Sequence, residues 1–359
     1  MAVSQIKNNS ESFDFIIVGQ GLAGSVLAIL LLKAGFKICV IDEAKLSLSS
    51  RVAAGIWNPV VFKRLTKSWL ADELVPELMD FYKYFEGETN SVVIQHRHII
   101  KPFTEEQEKK LWLKKAQSEN EFLDKQTYEN LTVTDQQKIL SYSKVLGAGN
   151  LDVVEFLEQS KKYIQFNGSF IEDKFDFNKL SHQDDIIKYQ SVSSRNIVFC
   201  EGHLITQNPF FNWVPMKPAK GEVLTIHCEG LQLEHDILNK GIFILPLGNH
   251  TYKVGATYEW ESLDDVPTEK RKLELEQKLA AVIQILYTVI KHEAGVRPSV
   301  IDRRPVIGKH PELNNYFVFN GFGTKAVMLA PYFAKHFIDH IRHSTPIHLE
   351  VTADRFYKK

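Results

Sequence analysis

The chain has 359 residues, 44% apolar and 24% charged, with 43 Lys+Arg against 44 Asp+Glu for a net charge of −1. At roughly 150 residues per domain this is material for two or three domains or one interleaved pair, and so average a composition excludes disordered, collagen-like and disulfide-scaffold chains. The balanced charge argues against a dedicated nucleic-acid binder, and three scattered cysteines, Cys39, Cys200 and Cys228, argue against a metal framework and for a reducing, cytoplasmic setting.

Residues 15–32 carry no charge, which is the lower edge of a membrane span or a signal-peptide core. The flanks lack a basic n-region and a small-residue cleavage pattern, and Gly19, Gly21 and Gly24 interrupt the run, so no integral membrane contact is expected. The run divides instead into a buried parallel strand at 13–18 and an apolar helix at 22–34 stopped by Gly35. A second strand at 38–41 ends in Asp42, completing a β-α-β unit with Gly19-Gln20-Gly21-Leu22-Ala23-Gly24 at its first turn.

The glycines there serve distinct physical ends. They allow a tight turn, close approach of backbone to a pyrophosphate, and close helix-to-strand packing, with the helix N-terminus facing the anion. Asp42 stands where a carboxylate accepts hydrogen bonds from both ribose hydroxyls of an adenosine, and it disfavours NADP. The motif alone leaves NAD and FAD open. The next segment, Ser49-Ser50-Arg51-Val52-Ala53-Ala54-Gly55 and on to Trp57, suits a stretch laid along a pyrophosphate and a flat ring. It reads equally as a loop capped by Ser50 with Arg51 in a salt bridge.

His96-Arg97-His98 alternates on a strand so that both rings share a face; no third ligand is visible, and no metal is expected. Residues 103–135 are charge-rich and read as solvated helices. Residues 145–163 read as a glycine-bearing turn, an Asp152 cap and an amphipathic helix, followed by a strand near 169–172. Residues 196–202 form a buried strand ending in Gly202, fit to pass close to an adenosine, and 268–292 form a long amphipathic helix over a sheet. A strand at 316–319 then leads through Gly321, Gly323, Thr324 and Lys325 into a helix at 326–341. This second glycine-rich helix start suits the electron-rich carbonyl of a reduced flavin, whose charge a helix dipole and backbone N–H groups stabilise.

Taken in order, Gly19–Gly24 with Asp42, the 50–55 segment, Pro218-Ala219-Lys220-Gly221-Glu222-Val223-Leu224, Lys253–Tyr258, Gly295-Val296-Arg297-Pro298 with 302–308, and 321–325 with Ala330-Pro331 resemble the FAD-dependent D-amino-acid oxidase superfamily. Within it the chain is similar to glycine oxidase and to the flavin domain of the bifunctional enzyme that modifies carboxymethylaminomethyl-uridine in tRNA. The resemblance covers nearly the whole chain. It implies an α/β fold: a Rossmann-type FAD-binding domain at 1–80, 145–205 and 295–359, interleaved with a substrate domain on a mixed sheet with helices at 81–144 and 206–294.

The implied reaction is oxidation of the amine of a small or tethered glycine-like amino acid to an imine, by hydride transfer to N5 of a non-covalently bound FAD. Oxygen or an electron carrier would take the electrons. The same chemistry on the tRNA uridine is the alternative, which the near-neutral charge and the lack of an attached methyltransferase domain disfavour; a non-catalytic dinucleotide-binding protein is the alternative of another class. Cofactor contacts implied are Gly19, Gly21, Leu22, Ala23, Gly24, Asp42, Glu43, Ser50, Arg51, Ala54, Gly55, Phe175, Gly202, Gly321, Gly323, Thr324 and Lys325. On the substrate side stand Arg297, Tyr258, Phe243, Lys325 and Trp57. Arg297 is the carboxylate clamp by resemblance, since a guanidinium binds a carboxylate through two parallel bonds; a structural pair with Asp302 is its other reading. Phe243 replaces the tyrosine of glycine oxidase, and Thr324-Lys325 resembles the Ser-Arg pair of the tRNA-modifying enzyme. Tyr258 reads as a flavin-facing side chain or as a plain core tyrosine, and Lys325 as a neutraliser of reduced flavin or as an exposed helix-start lysine.

Overall fold

The computed structural model describes residues 11–43, 48–118, 120–129, 131 and 139–357. The start of the segment on which the leader argument rests, and residues 132–135 of the charge-rich stretch, lie outside these. In chain order the elements are β1 (Glu11–Val18), α1 (Leu22–Lys33), β2 (Ile38–Asp42), α2 (Leu48–Val52), β3 (Ile56–Trp57), a ribbon of β4 (Val60–Val61) and β5 (Thr66–Lys67), and α3 (Ala71–Thr89). There follow β6 (Ile94–Phe103), α4 (Glu106–Ser118), β7 (Ser141–Leu151), α5 (Val153–Asn167), β8 (Ser169–Glu172), β9 (Leu180–Gln183), β10 (Ile186–Tyr189) and β11 (Val192–Phe199). Last come β12 (Ala219–His227), β13 (Ile237–Asn239), β14 (Phe243–Gly248), β15 (Thr251–Gly255), α6 (Glu269–Ala280), β16 (Thr288–Arg297), β17 (Val306–Lys309), β18 (Tyr316–Asn320) and α7 (Ala326–His343).

The first sheet runs β17-β18-β11-β1-β2-β8, with β10 and β9 continuing from β11. β1 is parallel to both β11 and β2, pairing Ile16 with Ile197 and with Cys39. From Phe15 on its side chains alternate between two cores: Phe15 and Ile17 pack with α1, α5 and α7, whereas Ile16 and Val18 face Phe199, Phe211 and Tyr316, the core that Phe13 also joins. From Phe15 to Val18 both faces are buried, so this part of the strand has no position for a charge, and Glu11 and Asp14 lie before it. Helix α1 is enclosed too, with Val26, Leu27, Ala28, Ile29 and Leu31 at zero exposure, and Gly35 ends it in the left-handed region at φ +84°. The uncharged run is therefore a buried strand and a buried helix, and among the described residues no helix is long and apolar enough to cross a membrane.

The second sheet runs β16-β12-β15-β14-β13-β6-β7-β3, antiparallel apart from the parallel pair β13 and β6. Leu275 and Leu279 of α6 close a core with Ile226, Tyr252 and Val254, and Trp112 of α4 closes another with Phe103 and Val145. The expected domain divisions at 145 and 295 fall inside β7 and β16, both strands of this sheet.

Three local expectations need correction. The helix expected over 268–292 begins at its Thr268 cap but ends at Ala280, and Thr288–Arg297 is a strand paired to β12. Buried Leu275, Leu279, Val282 and Ile283 keep helical spacing past the true end, which hides it. Among the described residues the charge-rich stretch holds one helix, α4, and the non-helical residues 120–129 are bridged to β7 through Leu123 and Tyr128. The glycine-bearing turn before Asp152 is strand β7, where absence of a side chain at Gly149 admits the Trp57 ring: a Cβ there would lie 2.3 Å from it. Asp152 does cap α5, accepting from Glu155 N at 3.1 Å.

Candidate active site

The carboxyl ends of the parallel strands β1, β2 and β11 open onto a cavity of about 530 Å³ whose far wall is the second sheet. Ligands of open α/β sheets bind at this end of the strands. Gly19 leaves β1 at φ +102°, where a Cβ would stand 2.6 Å from the Cys200 carbonyl oxygen. Gly24 packs tighter still: a Cβ on it would meet the Gly19 carbonyl oxygen at 2.0 Å. The turn thus brings the N-terminus of α1 against the strand ends, and the Leu22 N–H donates to Ser50 Oγ at 3.2 Å.

Gly19, Gly21, Leu22, Ala23, Asp42, Glu43, Ser50, Ala54, Gly55, Phe175, Gly202, Gly323 and Thr324 all line the cavity. Asp42 Oδ1 accepts from Gln20 N at 2.9 Å. Burial pushes its carboxyl up to about 6, against the opposing pull of that N–H and of Lys161. Glu201, which no sequence motif singles out, lines the same region, and burial raises it to about 7 although Asn208 donates to it at 2.6 Å. Its one sequence signal is its place between a buried strand and Gly202.

At the other end Arg297 closes β16. Its guanidinium lies over the Tyr258 ring, 4.2 Å from the centroid, and donates to the carbonyls of Thr257 at 3.1 Å and Lys220 at 3.4 Å. It can sit there because residue 221 is glycine: a Cβ would be 1.9 Å from the Arg297 Nη2. Among the described residues no carboxylate pairs with it, and Asp302, the alternative partner, is 3.1 Å from Arg355 Nε instead. Burial opposes its charge. A half-buried cation facing a cavity without a counterion is an incomplete ion pair. Ile99, Val223, Ile237 and Phe243 give the surrounding wall an apolar surface.

Other expected residues stand apart from the cavity wall. Arg51 turns outward to Glu158 at 3.5 Å. Trp57 is buried, with its Nε1 donating to the Gly147 carbonyl at 3.0 Å. Gly321, at φ +79°, serves the turn after β18 against Val300. Lys325 directs its ammonium to Ser68 Oγ at 2.6 Å; burial first, and then Arg304, push it down to about 8. Of the histidine pair, His98 lies 3.3 Å from Asp236, and His96 sets its ring edge against Trp57.

Comparison with known proteins decides the family. The pattern of the family described as FAD dependent oxidoreductase, DAO, matches residues 14–340. The chain belongs to this family. The glycine oxidase of Bacillus licheniformis is 21% identical over 336 residues, covering 89% of this chain and 90% of that protein. The tRNA 5-methylaminomethyl-2-thiouridine biosynthesis bifunctional protein MnmC of Legionella pneumophila is 22% identical over 321 residues, which is 82% of this chain and 45% of the larger protein. With the Pseudomonas putida glycine oxidase the match spans only 37% of each chain. The glycine oxidase structure from Geobacillus kaustophilus superposes with a TM-score of 0.77 at 18% identity, over 94% of this chain and 97% of that one.

The residues present fit the dinucleotide of an FAD-dependent oxidoreductase. A side chain at Gly19 or Gly24 would press on the Cys200 or Gly19 carbonyl and force the turn open, and Asp42 offers a buried carboxylate with one oxygen already oriented by Gln20. Ribose hydroxyls donate best to the ionised carboxylate, so FAD affinity is expected to rise as pH climbs through about 6. Asp42→Asn is expected to weaken binding by about tenfold and to erase that step, read by flavin fluorescence titration. The raised value has the opposite sign for the flavin-free fold, which loses this group's contribution to stability as pH rises through about 6.

Proposed function

We propose that the chain binds FAD non-covalently and oxidises the amine of a small, glycine-like amino acid to an imine. The observation that carries this reading is Arg297: a half-buried guanidinium at the cavity wall, fixed by two backbone carbonyls and an aromatic ring, with no carboxylate partner among the described residues. Two of its five N–H groups are committed to Thr257 and Lys220, and the rest of the fork is left for an incoming carboxylate.

When bound, the flavin supplies the acceptor for the hydride that leaves the amine carbon. The residues of the chain do the rest. Arg297 holds the carboxylate and so fixes the carbon beside it, which is the orientational part of the rate. Ile99, Val223, Ile237 and Phe243 keep that carbon dry, strengthening the ion pair and favouring the neutral amine over the ammonium form. The nitrogen lone pair then forms the C=N bond as the C–H bond breaks, the nitrogen's proton passes to water, and a second water hydrolyses the imine to the oxo acid and free amine. Phe243 brings no hydroxyl to the carboxylate, which leaves recognition to Arg297.

Product analysis tests this. Protein reconstituted with FAD, given sarcosine and an artificial electron acceptor, should release glyoxylate and methylamine in equal amounts. Recovery of intact sarcosine, glycine and other small amino acids after prolonged incubation would overturn the reading.

A further inference from the structure

One acid on the cavity wall has no cation to answer it. Glu201 stands just past the end of β11, half-buried, and lines the cavity. Its backbone packs on the phosphate-binding turn: the place a Cβ would take on Gly19 is 3.5 Å from Glu201 N and 2.6 Å from the Cys200 carbonyl oxygen. A dinucleotide held with its diphosphate at the N-terminus of α1 therefore brings its negative charge to the strand end that carries Glu201.

The surroundings do little for an ionised carboxylate. Its Oε2 accepts from Asn208 at 2.6 Å, a fully buried neutral amide that is fixed in turn by the N–H groups of Phe210 at 2.8 Å and Phe211 at 3.1 Å. Among the described residues no other side chain donates to Glu201 and no cation pairs with it. The titratable groups that share the wall are Asp42 and Glu43 after β2, the exposed Lys174 after β8, Cys200 and His203 along its own segment, and Tyr258 and Arg297 opposite. Two of these are further carboxylates, and Arg297 is held by Thr257, Lys220 and Tyr258. Burial holds His203 below the ordinary imidazole range against the pull of Asp265, so it adds no charge in alkaline solution. A carboxyl taken out of water without a cation favours its protonated form, and a phosphate nearby deepens that preference. Burial alone already raises Glu201 to about 7.

We infer that Glu201 binds FAD as a neutral acid whose hydroxyl donates to the cofactor's diphosphate, so that cofactor binding in alkaline solution takes up a proton. The proton comes from the buffer and stays on the carboxyl, and no other bond changes. The inference rests on the FAD-binding reading and adds a residue to it that no glycine motif marks. Asp42 acts in the opposite sense, because ribose hydroxyls favour its ionised form. The two carboxyls together give FAD affinity a rising limb up to about 6 and a falling limb above about 7.

The test is calorimetric titration of the flavin-free full chain with FAD in buffers of different ionisation enthalpy, which counts the protons exchanged on binding. At about pH 8 the unaltered protein is expected to take up about one proton per FAD, and at about pH 5 to release protons as Asp42 ionises. Glu201→Gln keeps an acceptor for Asn208 and supplies a permanent donor. It should take up none at about pH 8 and bind FAD about tenfold more tightly there than the unaltered protein. His203→Gln should keep the uptake. Absence of uptake in the unaltered protein, uptake that survives Glu201→Gln, or uptake lost only in His203→Gln would overturn the inference and leave FAD binding in place. If no FAD binds at any pH, the cofactor reading falls and the inference with it.

Discussion

Arg297→Met is expected to lower kcat/KM for a glycine-like amine by about a hundredfold to a thousandfold, on the scale of losing one partner of a desolvated, hydrogen-bonded ion pair. Methionine keeps the bulk against Tyr258 and removes the fork, so the loss reports carboxylate recognition. Gly221→Ala should reproduce much of the effect without touching the arginine, because its Cβ would lie 1.9 Å from Nη2 and displace the guanidinium. Rapid-mixing measurements of flavin reduction distinguish this from a fault in reoxidation. A kcat/KM within about threefold of the unaltered protein in both variants would remove Arg297 from the substrate site.

Gly24→Ala is expected to abolish flavin retention and to cost about 1–3 kcal/mol of stability, the usual range for overpacking a filled interior. The added Cβ would press on the Gly19 carbonyl oxygen at 2.0 Å and on Cys200 Cβ at 3.2 Å. These atoms are backbone and a buried side chain, so α1 must lift off the strands and the phosphate-binding turn opens. Gly87→Ala is the matched control: that glycine lies on the exposed side of α3 with nothing near its absent Cβ. There alanine should stabilise by about 0.5–1 kcal/mol through its helix propensity. Thermal unfolding and flavin content after gel filtration read both outcomes.

The parts of the molecule legible in its sequence are those governed by local rules. The stretch from Phe15 to Leu32 is readable because the strand is buried on both faces and the helix on most of its surface, leaving the glycine turn as the marked departure from an apolar pattern, with Asp42 closing the next buried strand. Asp152 as a cap and the helix after Lys325 are likewise local. What escapes depends on direction and on distant partners. Trp57, Arg51 and Lys325 occupy plausible places in the chain, but Gly147, Glu158 and Ser68 claim their side chains, and no spacing rule encodes those contacts. The end of α6 is hidden because Val282 and Ile283 are buried at helical spacing without being helical. Lys220 and Glu222 stand in plain view beside Gly221, yet their burial is created only when the segment from 256 to 268 folds over β12.

The proposed reaction requires that an amine carbon next to a carboxylate deliver its electrons to a flavin held in this cavity. The most direct measurement is an anaerobic titration of FAD-reconstituted protein with glycine and with sarcosine, following the oxidised-flavin absorbance band. Saturable bleaching by at least one of these, lost in Arg297→Met, is the predicted result. A band that persists at saturating amine in protein fully loaded with FAD would contradict the account.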